Sequence, residues 1–290
     1  MSNEIYKLIQ VTGSDAVEFL QGQLTQDMEQ LAETSCLPAA WCNPKGRVIT
    51  VMRVLMIDGG YGLVVPTSLA ASLCQRLTIF RFRADVGLDV ADADWTCLIV
   101  NSDSDLDQLE KHELRPDQQI NACRTGHGLT AVNVGFEEQC IELMGLTSDI
   151  ENAGIELEDA ASADFLRSAK IRAGIPEILE DYSEKFTPHM LNLDLLGAIS
   201  FDKGCYTGQE VVARTQNLGS SKRRLMRYRT DATLSIGDKL SDGDKVVGEV
   251  INVNEGDILA VTPVAIHERN LYMNEEEIEP IALPYIVGRA

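Results

Sequence analysis

The sequence predicts an α+β fold, and three features predict it. Short strand-like runs meet at tight turns, as antiparallel hairpins do. Helical stretches are interspersed among the hairpins rather than following every strand. No Gly-x-Gly-x-x-Gly follows a strand and no Gly-Lys-Ser/Thr is present, so neither a doubly wound dinucleotide site nor a phosphate loop is signalled. At 290 residues the chain is long enough for about two or three compact units.

The elements follow in order. Asp15 and Glu18 have capping-box spacing and predict a helix start after Ser14, with Gly22 interrupting the helix and Leu24–Asp27 beginning another turn. Asn43-Pro44-Lys45-Gly46 has Pro second and Gly fourth, which predicts a type I turn between strands at 36–42 and 47–57. Gly59-Gly60 turns the second of these into a strand at 61–65. Residues 67–78 have helical periodicity, and Phe80–Val86 alternates as a half-buried strand does. Strand-like runs recur at 95–100, 129–134 and 139–144, and a helix is predicted over 159–170. After about residue 221 helical periodicity ends. Gly237-Asp238, Asp242-Gly243 and Glu255-Gly256 punctuate β-rich runs at 246–253 and 258–261, the pattern of a small barrel-like domain. Asn274–Glu277 reads as a solvated loop. The expected division is therefore 1–220 and 221–290.

Composition bounds the function. Hydrophobic residues at 44% and charged residues at 24% describe an ordinary soluble globular protein. A formal charge of -20 repels phosphate backbones, so direct nucleic-acid binding is not expected. No run approaches a membrane span, and MSNEIYKLIQ lacks the basic-then-apolar pattern of a secretory leader, so a cytoplasmic location is expected. The seven cysteines (36, 42, 74, 97, 123, 140 and 205) include no Cys-x-x-Cys pair, so no metal-ligand spacing is present. Most lie in apolar runs such as Trp95–Val100 and read as buried free thiols of a reducing compartment.

The stretch with candidate chemistry is Lys203-Gly204-Cys205-Tyr206-Thr207-Gly208-Gln209-Glu210. Thr207 and Glu210 have the spacing of a second capping box, opening a helix through Arg214 that ends near Asn217–Gly219. Cys205 lies two residues before that N-cap, where free helix amides, the dipole and Lys203 all favour a thiolate, and the glycines leave the backbone open to a ligand. The plainer interpretation is a loop entering a helix. A lone cysteine without a placed histidine is a weak nucleophile signal, and the nearest histidine, His189, sits in a Thr-Pro-His run that opens a helix. Ser220-Ser221-Lys222-Arg223-Arg224 is the densest basic cluster, suited to a carboxylate or phosphate tail or simply to a solvated linker.

A longer match surrounds that stretch. Asn192-Leu193 and Leu196 through Arg214 resemble the signature of the YgfZ-type folate-binding proteins, in the superfamily of the glycine-cleavage T protein, an aminomethyltransferase. Phe19–Asp27, Trp41–Arg47 and Arg172-Ala173-Gly174-Ile175-Pro176-Glu177 resemble other segments of that family, and the matches run in order from residue 11 to about 224. The C-terminal barrel matches in position and texture only. The resemblance implies a ring of three domains around a channel, two α/β with ferredoxin-like elements and one small β-barrel. It implies tetrahydrofolate in the channel, with Tyr206, Gln209, Glu210, Arg214, Arg172 and Trp41 as its contacts and Cys205 and Lys203 as catalytic residues. The implied role is upkeep of iron–sulfur enzymes, including one that thiomethylates tRNA, so the partners are folate and iron–sulfur enzymes or their assembly factors. The net charge fits an indirect link to tRNA.

Two departures bear on chemistry. The T protein carries an acidic pair where this chain has Thr50 and Val51. Without a carboxylate to orient and deprotonate the folate nitrogen, aminomethyl transfer by that route is not expected. Relatives often place an acid just before Ala173-Gly174, where it accepts from the pterin's N–H groups. Here Arg172 stands there and accepts nothing, so folate binding is expected to be weakened, or to take a different form, or to use another acid such as Glu177. Against the accessory-factor reading stand a folate-dependent one-carbon transferase and a non-catalytic scaffold.

Overall fold

The computed structural model describes residues 5–92, 94–135, 139–157, 163–219, 221–266, 268–273 and 276–288. Among the described residues the chain builds two antiparallel sheets and a closed barrel. β1 (Tyr6–Thr12), α1 (Ala16–Gln23), a single 3-10 turn (Met28–Gln30), β2 (Leu37–Cys42), β3 (Val48–Ile57), β4 (Gly60–Pro66), α2 (Thr67–Ile79) and β5 (Gly87–Val90) form the first unit. Its strand order is β2-β3-β4-β1-β5, with β1 inserted between β4 and β5 from Tyr6↔Pro66 and Thr12↔Gly87 outward.

Successive strand residues point to opposite faces, and here both faces are covered. Ile9, Val11, Val54, Leu63 and Val65 pack under Leu69, Ala70, Leu73 and Leu77, the buried stripe of α2 at helical spacing. Tyr6, Leu8, Leu55 and Val64 face the other way, into a core shared with the second sheet. Fully burying one such side chain contributes about 1.5–3 kcal/mol.

The second unit holds β6 (Trp95–Val100), α3 (Asp103–Lys111), β7 (Cys123–Gly126), β8 (Leu129–Asn133), β9 (Ile141–Leu146), α4 (Thr147–Ala153) and α5 (Ala163–Ala173), with strand order β6-β9-β8-β7. Ser102 caps α3 by accepting from the Asp105 amide, and α4 ends at Gly154 in the left-handed region. The sheets are stitched at their edges: the Cys36 amide donates to Asn121 and the Cys123 amide to Thr34, both at 2.8 Å. Beyond α5 the chain makes 3-10 turns at Glu180–Tyr182 and Pro188–Leu191, then α6 (Gln209–Leu218). β10 (Arg223–Arg229), β11 (Lys239–Ser241), β12 (Val246–Asn254), β13 (Asp257–Pro263), β14 (Leu271–Met273) and β15 (Glu276–Ile281) close a barrel in the order β10-β13-β12-β11-β14-β15.

The α+β class and the closed C-terminal barrel match the expectation, and several local expectations do not hold. Phe80–Val86 is no strand. Tight turns continue from α2, with the Phe80 amide on Leu77 and the Ala84 amide on Arg81, and Phe82 has φ +47 with 86% of its surface exposed. The Arg–Phe alternation mimics a strand, but nothing covers the Phe82 face. Asp15 precedes α1 without capping it, because its carboxylate accepts from the Asp85 amide at 2.8 Å. Gly22 does not interrupt α1, which runs on to Gln23. The helix expected over 159–170 is seen from Ala163 to Ala173, residues 159–162 lying outside the described residues. Glu276 and Glu277 open β15 instead of a loop, while Asn274 and Glu275 are outside the described residues. α3, β7 and α4 had no counterpart in the sequence pattern.

The two arginines of the basic cluster are committed to the fold, while Ser221 and the exposed Lys222 lie in the connection between α6 and β10. Arg223 and Arg224 belong to β10. Arg223 donates to the carbonyls of Val247 and Val261, and Arg224 holds both carboxylate oxygens of Asp194 at 2.6 and 2.9 Å. Ser220 lies outside the described residues. The Arg224–Asp194 pair is largely buried, with 13% and 8% side-chain exposure, so removing one partner strands a buried charge. Arg224→Met is expected to cost about 3–5 kcal/mol in urea unfolding. Arg224→Met combined with Asp194→Leu should recover most of that loss. A single-variant cost below about 0.5 kcal/mol would mean that the pair behaves as a solvated surface bridge.

Candidate functional site

The signature loop is anchored on the chain that leaves α1. Leu24 to Gln26 leaves the helix and is buried, so its main-chain groups need protein partners. Thr25 exchanges hydrogen bonds with Ala40: its amide donates to the Ala40 carbonyl at 2.9 Å, and its Oγ1 accepts from the Ala40 amide at 2.8 Å. Oγ1 also donates to the Ala198 carbonyl at 2.6 Å, and the Ser200 amide donates to the Thr25 carbonyl at 2.9 Å. Lys203 completes the attachment. Its ammonium donates to the carbonyls of Gln21, Leu24 and Gln26 at 2.7, 2.8 and 2.7 Å. Burial pulls its pKa down to about 8, with Asp27 opposing. All three of its N–H groups are thus engaged, and none is left to hydrogen-bond a Cys205 thiolate, contrary to the catalytic role expected for Lys203.

Cys205 itself is exposed, and so is Gly204, around which a Cβ would meet nothing within 4 Å. Tyr206 turns inward at 7% exposure, and burial pushes its phenol well up. The next turn differs from the capping box expected. The N-cap of α6 is Gly208, at φ +84, with no side-chain cap, and Glu210 is exposed. The cause is the Asn43–Gly46 turn packed against it: a Cβ on Gly208 would lie 2.5 Å from the Asn43 carbonyl, and one on Gly46 would lie 2.7 Å from Val211 Cβ. That turn forms as expected, with the Gly46 amide on the Asn43 carbonyl at 2.9 Å. Asn43 Nδ2 also donates to Glu184 at 2.6 Å; together with Arg76 this holds the Glu184 carboxyl below its usual range. His189 is buried and shares a hydrogen bond with Gln216 on α6.

A cavity of about 100 Å³ lies among β1, β3 and β4, the 120–121 loop, the segment after α5, and residues 193–198. Val51, Met52, Leu193 and Leu196 supply apolar wall, and Tyr6, Arg53, Lys170 and Glu177 the titratable groups. Lys170 donates to the Tyr6 hydroxyl, which donates to Glu177 Oε1, and Lys170 Nζ is also 3.6 Å from that oxygen. Burial, then Glu177, raises the Tyr6 phenol well above its ordinary value; burial lowers the Lys170 pKa against the opposing field of Glu177. The Arg53 guanidinium is 5.2 Å from the Tyr6 ring centroid and pairs with the buried Glu142 of β9. Asn252 of the barrel grips the Glu177 main chain, accepting from its amide at 3.0 Å and donating to its carbonyl at 2.9 Å. Both sheets and the barrel thus converge on one polar cluster.

The expected folate contacts are not at this cavity. Trp41 is 1% exposed in the first core, edge-on to Phe80 at 5.9 Å, with Arg76 over its ring. Tyr206, Gln209, Glu210, Arg214 and Arg172 do not line it either, and Glu210 and Arg214 are exposed. Of the residues weighed from sequence, Glu177 and Val51 do line it. Tyr6, Arg53 and Lys170 were missed. One signal was available: Lys170 sits four residues after Leu166 on the buried stripe of α5, where a lysine needs a partner. Among the described residues no group of three His, Cys, Asp or Glu could hold a metal ion, and no helix is long and apolar enough to cross a membrane.

No family model matches the chain. Its fold is that of the glycine-cleavage aminomethyltransferases: the crystal structure of aminomethyltransferase T from Bartonella henselae superposes with a TM-score of 0.78 at 16% identity, covering 97% of this chain and 84% of that one. In sequence the chain is similar to curated proteins named tRNA-modifying protein YgfZ. The protein of that name from Colwellia psychrerythraea is 29% identical over 87% of this chain and 77% of its own length. The one from Escherichia fergusonii is 29% identical over 98% of this chain and 92% of its own.

The two loop glycines respond oppositely to a methyl group. Gly208→Ala forces a left-handed alanine into a main-chain oxygen and is expected to cost at least about 1–3 kcal/mol in urea unfolding. Gly204→Ala has open space and is expected to stay within about 0.5 kcal/mol of the parent. Equal effects from both would show that the turn does not brace the loop.

Proposed function

We propose that this chain is a folate-binding accessory factor for the assembly or repair of iron–sulfur enzymes, with Cys205 as its working residue and an indirect effect on tRNA modification. The observation that carries the folate part is the carboxylate of Glu177 in a cavity with apolar walls. A pterin ring is flat and apolar on its faces, and its amino and ring N–H edge needs an acceptor. Glu177 supplies the acceptor, Val51, Met52 and Leu196 the walls, and Lys170 and Arg53 the donors for the ring's own acceptors. These residue types match the faces and edge of a pterin, and tetrahydrofolate when bound supplies a carrier for a one-carbon unit.

The one-carbon transferase reading is the less favoured. On β3, Thr50 is fully buried and its hydroxyl donates to the Val51 carbonyl, while Val51 faces the cavity with an apolar side chain. That strand brings no carboxylate to act as a base there. The exposed position of Cys205, away from the cavity lining, suits work on a partner protein in the cytoplasm better than work on a cavity-bound ligand.

Calorimetric titration with tetrahydrofolate tests the ligand. Glu177→Gln should weaken binding roughly 10–100-fold through loss of charge-assisted hydrogen bonds. Arg172→Ala should bind as the parent does. Absence of binding by the parent, or equal affinity in Glu177→Gln, removes the cavity from the proposal. Cys205→Ser, expressed in a strain lacking the native protein, should leave iron–sulfur enzyme activity low. Full activity in that strain sinks the thiol's role and leaves the scaffold reading.

A further inference from the structure

We propose that Lys203 is a positioning residue: its ammonium is a tethered cation that closes a cage of three main-chain carbonyls and so turns Cys205 outward. The proposal deepens the function above and rests on it only for the use to which the thiol is put. The cage itself is a matter of geometry. The carbonyls of Gln21, Leu24 and Gln26 converge on one nitrogen at 2.7, 2.8 and 2.7 Å. Gln21 and Leu24 lie at the C-terminal end of α1, where the last carbonyls lack intrahelical partners and the dipole favours positive charge. Leu24 and Gln26 are 0% and 7% exposed, so water is a poor substitute partner. A single group that gives three N–H bonds from one atom is an ammonium; a guanidinium spreads its donors over a planar fork.

A second observation shows what the cage does. Lys203 and Tyr206 are both buried, and the Lys203 nitrogen stands 5.3 Å from the Tyr206 ring centroid. The Thr207 amide adds a bond to the Gly22 carbonyl at 3.3 Å. Gly204 and Cys205, the two residues between these inward anchors, are both exposed. Anchors three residues apart leave the intervening pair nowhere to go but out, and Gly204 keeps the approach to the sulfur open. Lys203 thus acts on where the thiol is.

The experiment uses the full chain and separates this role from an effect on the thiol's ionisation. In Lys203→Met, amide hydrogen exchange over 21–27 and 203–208 is expected to quicken by at least about tenfold, local opening being less costly once the bonds are gone. The midpoint of the pH dependence of Cys205 alkylation, followed on its own peptide, is expected not to move. In Lys203→Ala, added methylammonium should restore slow exchange, and tetramethylammonium, which has no N–H, should not. An upward-shifted alkylation midpoint with parent-like exchange would make Lys203 an electrostatic partner of the thiol and overturn the proposal. So would a Lys203→Ala protein insensitive to methylammonium. If Lys203→Met does not fold, Lys203→Arg decides: fast exchange with an unmoved midpoint supports the cage, and parent-like exchange overturns it. None of these readouts uses activity in cells, so a Cys205→Ser strain with normal iron–sulfur enzymes would remove the thiol's function and leave the cage standing.

Discussion

Three buried residues, Leu24 to Gln26, set the constraint on which the surrounding structure depends. A main chain outside regular secondary structure and shielded from water must find a partner for each polar group within the protein. Here β2 supplies one set through Ala40. The Ser200 amide donates to the Thr25 carbonyl and Lys203 to the Leu24 and Gln26 carbonyls, while the carbonyls of Ala198 and Gly197 accept from the Thr25 and Gln26 side chains. Residues some 170 positions apart are thereby locked into one register. Leaving any of these groups unpaired costs about 1–3 kcal/mol, so the arrangement is satisfied nearly as a whole or not at all.

The same economy of buried polar groups shapes the cavity. Tyr6, Arg53, Lys170, Glu177 and Glu142 come from β1, β3, α5, the loop after it and β9, and each is tolerable in the interior because the others are present. The barrel takes part without entering the cavity: Asn252 fixes the Glu177 main chain, and Tyr285 donates to the Gly174 carbonyl at 2.8 Å. A Cβ on Gly174 would lie 2.6 Å from both Leu283 and Tyr285, so the C-terminal segment sits directly on the turn that leads to Glu177. The third unit thus shapes a site built from the first two.

The cavity and the thiol are separate features. The signature loop faces inward through Lys203 and Tyr206 and outward through Cys205, and none of the residues 203–210 lines the cavity. The two are joined through residues 193–200, which wall the cavity at one end and lead to the signature loop at the other.

Much of the fold was legible in sequence because its signals are local. The Asn43–Gly46 turn, the hairpins on either side of Gly59-Gly60, the stripe of α2 and the glycine-punctuated barrel all depend on residues close together in the chain. The sequence by itself also determined that Cys205 stands before a helix and that β3 offers no acid at positions 50 and 51. The errors arose where distant chain decides. Asp15 and Glu210 have capping spacing, but Asp85 claims the first carboxylate and the Asn43–Gly46 turn imposes a glycine cap on the second helix. Trp41 belongs to the core, and Lys203 belongs to three carbonyls at and just beyond the C-terminal end of α1. Tyr6 and Lys170 are 164 positions apart and meet only when the two sheets pack. Propensity and spacing act over a turn or two, whereas the partner of a buried charge is whatever the fold brings to it, and that was decided by the tertiary structure alone.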